Sequence, residues 1–265
     1  MNQRKTVSEF APAKINLFLE ITGKRPDGYH SLVSVMTTAS LGDDLTISLT
    51  EGEDIRLTGS GMNLTEDNLC LAAARLFRDQ VGLTGGVEIH LSKQIPLAAG
   101  LGGGSADGAA VLRGLNRLAG NPLSLGELAR MGLALGADVP FCVLGGTALA
   151  EGVGEILTPL PEMPPCRIEI VKQGEKQSTG HRYRLLDEIE NREIRSPEKM
   201  MDALRRGSLE GICRELYNAF SLIGDGGFCR RAVADMMARG AVGAGMSGSG
   251  PAVFGIFPPE ITERI

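Results

Sequence analysis

The sequence predicts an α+β protein of two domains. Strand-like alternation and helical periodicity follow one another without strict βαβ spacing. A run at 95–111, IPLAAGLGGGSADGAAV, sets five glycines between a strand pattern and a helical one. Pro159, Pro161, Pro164 and Pro165 crowd the stretch LTPLPEMPPC, a composition shift that predicts a boundary between residues 1–161 and 162–265.

Taken in order, FAPAKINLFLE (10–20) alternates as a strand, with Ala13, Ile15, Leu17 and Leu19 on one face and Lys14, Asn16 and Phe18 on the other. GKRPDGYHSL follows, its Pro26, Asp27 and Gly28 supplying a turn that presents Tyr29 and His30 at its edge. Leu45, Ile47 and Leu49 continue a strand pattern, as do Ile55 and Leu57. Leu69, Ala72, Ala73, Leu76 and Phe77 form one stripe, which predicts a helix from about Asn68 to Gln80, with Asp67 as its cap. Val87, Ile89 and Leu91 alternate with Glu88 and His90 as a half-buried strand does. Beyond the glycines, Val111, Leu112, Leu115, Leu118 and Ala119 recur at helical spacing. Ser124 and Glu127 form a capping box before Leu128, Met131 and Leu135, with Gly136 as the expected C-cap. VPFCVLGG reads as a strand or a short helix. Past the prolines come a strand at Ile168 and Ile170, a segment of mixed charge to about Arg206, two helical stretches and a second glycine cluster, GAGMSGSGPAVFGIF.

The first glycine run has the character of a phosphate cradle. Unpaired N–H groups and the positive end of the helix dipole collect at a helix start, and bare glycines let an anion reach the backbone. It is not a Walker A loop, because no lysine occurs between Lys93 and Lys172, and its glycine spacing fits no dinucleotide fingerprint. A tight strand-to-helix turn is the alternative use of the same glycines.

A formal charge of -5 and a pI near 5.4 argue against a nucleic-acid surface. The five cysteines are scattered and never form a C-x-x-C pair, which suits reduced thiols better than a disulfide framework or a zinc site. No apolar run approaches the roughly 18 to 20 residues of a membrane span, and the residues before Phe10 are too polar for a secretory signal. A soluble, cytoplasmic protein with no membrane partner is expected; the oligomeric state is open.

Asp138 is a carboxylate in the mostly apolar LGADVPFCV. It could cap a helix that carries Pro140 in its first turn, or accept the proton of a substrate hydroxyl during phosphoryl transfer. Lys14 is either a solvated strand residue or a cation that stabilises charge on the reacting oxygens. Aromatic residues make up only 4% of the chain. Tyr29 and His30 together therefore read as a stacking shelf for a planar ring, with a surface turn as the alternative, and Tyr183 is a candidate for the opposite face. Gly248 and Gly250 serve either a sharp connection or a close approach to a ligand.

Taken together, PAKINLFLEITGKRPDGYH, IPLAAGLGGGSADGAAVLRGLN, LGADVPF, AEGVGEILTPL and MSGSGPAVFGIF resemble the GHMP kinase superfamily over most of residues 10–257. The resemblance implies a two-domain α+β fold with the active site in the inter-domain cleft, and ATP and Mg2+ as cosubstrate and cofactor. The ATP-binding residues it implies are Pro96, Leu97, Ala98, Ala99, Gly100, Leu101, Gly102, Gly103, Gly104 and Ser105, with Asn68 at the adenine. It assigns Lys14 and Asp138 to catalysis, with Asp138 as the base, and Asn16, Tyr29, His30 and Tyr183 to substrate; the metal ligands are not identified. The GYH motif is similar to that of the branch whose small-molecule substrate is a cytidine diphosphate-linked methylerythritol, in isoprenoid precursor synthesis. Another kinase of the superfamily, acting on homoserine or a mevalonate-type alcohol, and a non-catalytic nucleotide sensor are the alternatives. Tyr29 and His30 speak against the first, and Lys14 with Asp138 against the second. The C-terminal domain is expected to be shortened at its end, since the sequence stops soon after AVFGIF.

Overall fold

The computed structural model describes residues 5–61, 67–172, 178–224 and 227–259. Strands and helices divide into two compact units, and the α+β class is as expected. Two long strands, β1 (Thr6–Lys24) and β2 (His30–Thr50), each contribute to both units.

The first unit comprises residues 1–14, 39–97 and 102–145. Its sheet pairs β2 antiparallel with β4 (Gly86–Ser92), and β4 parallel with β3 (Ile55–Ser60). Leu45, Ile47, Ile89 and Leu91 alternate onto the buried face, as the period of two requires. Helices α1 (Leu69–Val81), α2 (Gly103–Leu118), α3 (Leu125–Gly132) and α4 (Val139–Leu144) bury Phe77, Leu112, Leu115, Leu128 and Phe141. The cap of α1 is Asn68 rather than Asp67: its side chain accepts from the Cys70 N–H at 2.8 Å. The capping box of Ser124 and Glu127 is present. Helix α3 stops short of Leu135 and Gly136, because the N–H groups of Ala134, Leu135 and Gly136 each turn to the carbonyl three residues back. VPFCVL is helical.

The second unit comprises residues 15–38, 98–101 and 146–265. Here β5 (Thr147–Glu151) pairs antiparallel with Ser34–Thr37 of β2, β6 (Ile156–Leu160) pairs with β5, and, beyond a strand β7 (Arg167–Lys172), β8 (Tyr217–Asn218) runs parallel to β1. A second sheet has the order β7, β10 (Ala252–Phe257), β9 (Gly243–Met246), all antiparallel. Helices α5 (Thr179–Asp187), α6 (Glu198–Arg205), α7 (Leu209–Arg214) and α8 (Phe228–Ala238) complete it, with Leu19, Leu186, Phe220 and Met246 in one core cluster and Met236, Val253 and Phe257 in another.

The compact units therefore do not divide at 161/162. Residues 146–161 belong to the second unit because β5 hydrogen-bonds to β2 and carries β6 with it, so the proline-rich stretch includes a paired strand. The expected shortening of the C-terminal domain falls after Pro259, outside the described residues. Among the described residues no helix is long and apolar enough to cross a membrane.

Candidate functional site

The strand β4 leads into the glycine run and α2 leads out of it, and both belong to the first unit, as does the start of α2 at Gly102. Gly102 is the N-cap of α2 in the left-handed conformation (φ 67°), and no side chain caps the helix. The N–H groups of the first turn are thus left to a ligand or to solvent, which suits an anion. A Cβ at Gly102 would lie 2.9 Å from Lys14 Cγ, so the lysine stem runs directly against the loop. Gly104 and Gly108 have Leu69 of α1 as the nearest atoms to a Cβ, at 3.6 and 3.4 Å. The start of α1, with Asn68 capping it, therefore packs on the start of α2.

Lys14 and Asp138 come together, with Nζ 3.7 Å from Oδ2. The lysine side chain is 8% exposed and the aspartate 38%, so the cation is held inside while the carboxylate opens outward. Of the two readings of Lys14, a solvated strand residue is not what the structure has, since the strand is buried on both faces from Ala13 to Ile21. Asp138 occupies the N-cap position of α4 but makes no side-chain capping bond. Burial raises the nearby Cys142 thiol to about 12, with the charge of Asp138 adding to the shift, and burial raises Cys70 further. Neither thiol is a nucleophile at neutral pH.

A buried ion cluster at the base of this loop was not read from the sequence. Lys93 Nζ, at the end of β4, lies 2.5 Å from Asp43 Oδ2 and 2.8 Å from Asp107 Oδ2. Asp43 Oδ1 also accepts the Gln94 and Ile95 N–H groups at 2.5 and 2.8 Å, which fixes the entry to the loop. Asp107 Oδ1 is buried and has no hydrogen-bond partner among the described residues. Burial raises the Asp107 carboxyl to about 7; Lys93 opposes the rise and the neighbouring Asp43 adds to it. The available signal was a carboxylate alone among alanines and glycines in GSADGAAV.

In the second unit, residues 98–101 of the loop meet the second glycine cluster. Ser247 Oγ donates to the Gly100 carbonyl at 3.0 Å and the Ala252 N–H donates to that of Ala99 at 3.0 Å. Gly100 (φ 82°) could carry no side chain, since a Cβ would lie 2.5 Å from the Ser247 carbonyl oxygen. A Cβ at Gly248 would lie 2.7 Å from the Gly100 oxygen, and one at Gly250 2.8 Å from Met246 Sδ. The close approach that these glycines permit is to protein atoms. Ala99 and Leu101 are buried and Leu97 is exposed, so from Ala99 and Leu101 only backbone could reach a nucleotide. Asn16 is buried; its amide donates to Ser34 Oγ at 2.8 Å and its oxygen accepts the Gly248 N–H at 2.9 Å. It clips β1 to the second glycine cluster, a structural task the sequence reading did not give it.

Tyr29 is 66% exposed at the turn, where its N–H is held by Asp27 at 3.1 Å. Tyr183 does reach His30, but the rings are in contact, with centroids 4.4 Å apart and planes 18° from parallel. Tyr183 thus does not face His30 across a gap for a third ring. Tyr183 also meets Phe220 edge-on, with centroids 5.0 Å apart.

A cation beside an outward carboxylate, next to a helix start whose cap and first residues are glycines, offers charge stabilisation, a proton acceptor and free N–H groups for an anion. Comparison with known proteins gives it a class. The GHMP kinases N terminal domain matches residues 68–146 and the GHMP kinases C terminal domain matches residues 185–264. The chain belongs to the GHMP kinases, and it is a small-molecule kinase by that membership. Within them it is 43% identical over 251 residues to the 4-diphosphocytidyl-2-C-methyl-D-erythritol kinase of Caldicellulosiruptor saccharolyticus, covering 93% of this chain and 87% of that one. The enzyme of the same name from Exiguobacterium sibiricum is 43% identical over 259 residues, covering 96% and 90%. A crystal structure of 4-(cytidine 5'-diphospho)-2C-methyl-D-erythritol kinase superposes with a TM-score of 0.75 at 38% identity, over 94% of this chain and 90% of that one. A homoserine kinase from Cytophaga hutchinsonii, at 21% identity and a TM-score of 0.71, shares the fold.

Proposed function

We propose that this protein transfers the γ-phosphoryl group of ATP to the tertiary hydroxyl of 4-diphosphocytidyl-2-C-methyl-D-erythritol, a step of isoprenoid precursor synthesis. The observation that carries the chemistry is the Lys14–Asp138 pair at 3.7 Å, in which Asp138 spends no hydrogen bond on capping α4. Asp138 takes the hydroxyl proton as the oxygen forms its bond to the γ-phosphorus and the bond to the bridging oxygen of ADP breaks. Lys14 stabilises the charge that develops on the reacting oxygens. The uncapped start of α2 binds phosphate through its N–H groups, with residues 96–105 as the loop and Asn68 at the adenine.

Among the described residues no group of three or more His, Cys, Asp or Glu could hold a metal ion by itself. The residues fit a magnesium ion that arrives on the ATP phosphates, with Asp138 as the nearby open carboxylate. Such an ion supplies neutralisation of phosphate charge. The exposed ring of Tyr29, beside the fixed His30, supports recognition of a cytosine base. The similarity to the named kinases favours this substrate over homoserine and mevalonate, whose kinases share the fold at lower identity.

ADP release by the purified protein with magnesium and ATP, measured with each candidate alcohol, tests the proposal. Turnover is expected with the cytidine substrate and at most in traces with homoserine or mevalonate. Equal turnover of homoserine would sink the assignment.

A further inference from the structure

Helix α5 grips His30 from two directions. Tyr183 and Asp187 stand four residues apart, on one face of the helix. The Tyr183 ring covers a face of the imidazole at 4.4 Å, and the Asp187 carboxylate meets its edge, with Oδ1 and Oδ2 2.9 and 3.0 Å from Nε2. The helix itself is anchored. Buried Leu186 packs in the core, and the Arg182 guanidinium donates to the Phe220 carbonyl at 2.8 Å. The His30 side chain is only 9% exposed, so its orientation is set by these partners rather than by solvent. Among the described residues Lys24, with Nζ 4.0 Å from Asp187 Oδ2, is the other charged group at this carboxylate.

A carboxylate only accepts, so Nε2 of His30 carries a proton. In the neutral ring the remaining nitrogen, Nδ1, then keeps its lone pair. We infer that Asp187 is a positioning residue for substrate choice: by fixing the Nε2–H tautomer it makes Nδ1 of His30 an acceptor, matched to a base with an exocyclic amine, such as cytosine, and mismatched to one with a carbonyl there, such as uracil. This rests on the reading that the Tyr29–His30 turn meets the nucleobase. Two acceptors facing one another leave both without a partner, which is a strong way to reject an analogue.

The test combines spectroscopy and kinetics. Long-range 15N NMR on the full chain at pH 8, above the usual histidine range, resolves a spectrum that contains only three histidines. His30, identified by its own substitution, is expected as the Nε2–H tautomer in wild type. Asp187→Ala should give a tautomer mixture, and Asp187→Asn, whose amide can donate to Nε2, should favour Nδ1–H. A doubly protonated or Nδ1–H ring in wild type would overturn the inference. In assays, Asp187→Ala should raise KM for the cytidine substrate about tenfold, the effect of one charge-assisted hydrogen bond. It should move kcat and the KM for ATP less than twofold and lose discrimination against the uridine analogue, while Asp187→Glu restores it. An unchanged cytidine-to-uridine ratio in folded Asp187→Ala overturns the inference. If the variants do not fold, equal use of both substrates by wild type does so. Failure of wild type to phosphorylate the cytidine substrate would instead remove the proposed function and leave the tautomer result standing.

Discussion

Lys14 Nζ lies 3.7 Å from Asp138 Oδ2, and Asp138, although it stands at the N-cap of α4, makes no capping bond. The carboxylate is therefore committed to the lysine and to what lies outside. Asp138→Asn keeps the shape and removes the charge and the capacity to take a proton. Tm should shift little, since no cap is lost, while kcat falls by about 10² to 10⁴. Near-wild-type kcat in a normally melting variant would leave positioning, not base catalysis, as the role of this residue.

Gly102 is the loop glycine that packs against the stem of Lys14. Its φ of 67° strains any L-residue, and its Cβ would press on the Lys14 stem at 2.9 Å. Gly102→Ala should cost about 1 kcal/mol of backbone strain and weaken ATP binding, with kcat also reduced because Lys14 is displaced. Calorimetric titration with ATP checks the first effect. Unchanged affinity would show that the start of α2 is not the nucleotide cradle.

The Asp107 carboxyl supplies a pH dependence with a definite sign. Burial raises it from the ordinary 3.8 to about 7 in the folded protein. Folding therefore favours the protonated form: the group costs nothing below its unfolded value, and its cost grows as pH rises from about 4 to about 7. Asp107→Asn carries no such cost. The Tm of the variant relative to wild type should become more favourable between pH 5 and pH 8, as thermal melts across that range would record. A difference that is flat or of the opposite slope would mean that Lys93 holds Asp107 fully ionised.

Tyr29 exposes 66% of its surface and carries no core packing. Tyr29→Ala should leave Tm in place and weaken binding of the cytidine substrate by about 1 to 3 kcal/mol, the range for one aromatic on one base. Equal loss of ATP affinity would point to a displaced turn instead of a lost stacking surface.

Local patterns carried much of this protein in its sequence. The alternation at Val87, Ile89 and Leu91, the stripe that ends at Phe77, and the Ser124–Glu127 box each depend on neighbours within a turn or two, and each is present. The glycine run was legible for the same reason, since a helix start without side chains is written in consecutive residues. The pairing of Lys14 with Asp138 had to come from resemblance, because nothing local joins positions so far apart.

What the tertiary structure alone decided are the long-range contacts and the burial that they impose. The two units interleave along the chain because β5 pairs with β2, which no proline count can reveal. Asn16 is a clip and not an open amide because Gly248 lies across from it. The glycines at 248 and 250 serve close contact with Gly100 and Met246, and Lys93 lies between Asp43 and Asp107, 50 residues before it and 14 after. His30 became a fixed imidazole only when α5 brought Tyr183 and Asp187 to its face and its edge. In each case the side chain's role is set by a partner distant in sequence and by the cost of burying polar groups without one, and neither quantity exists until the chain is folded.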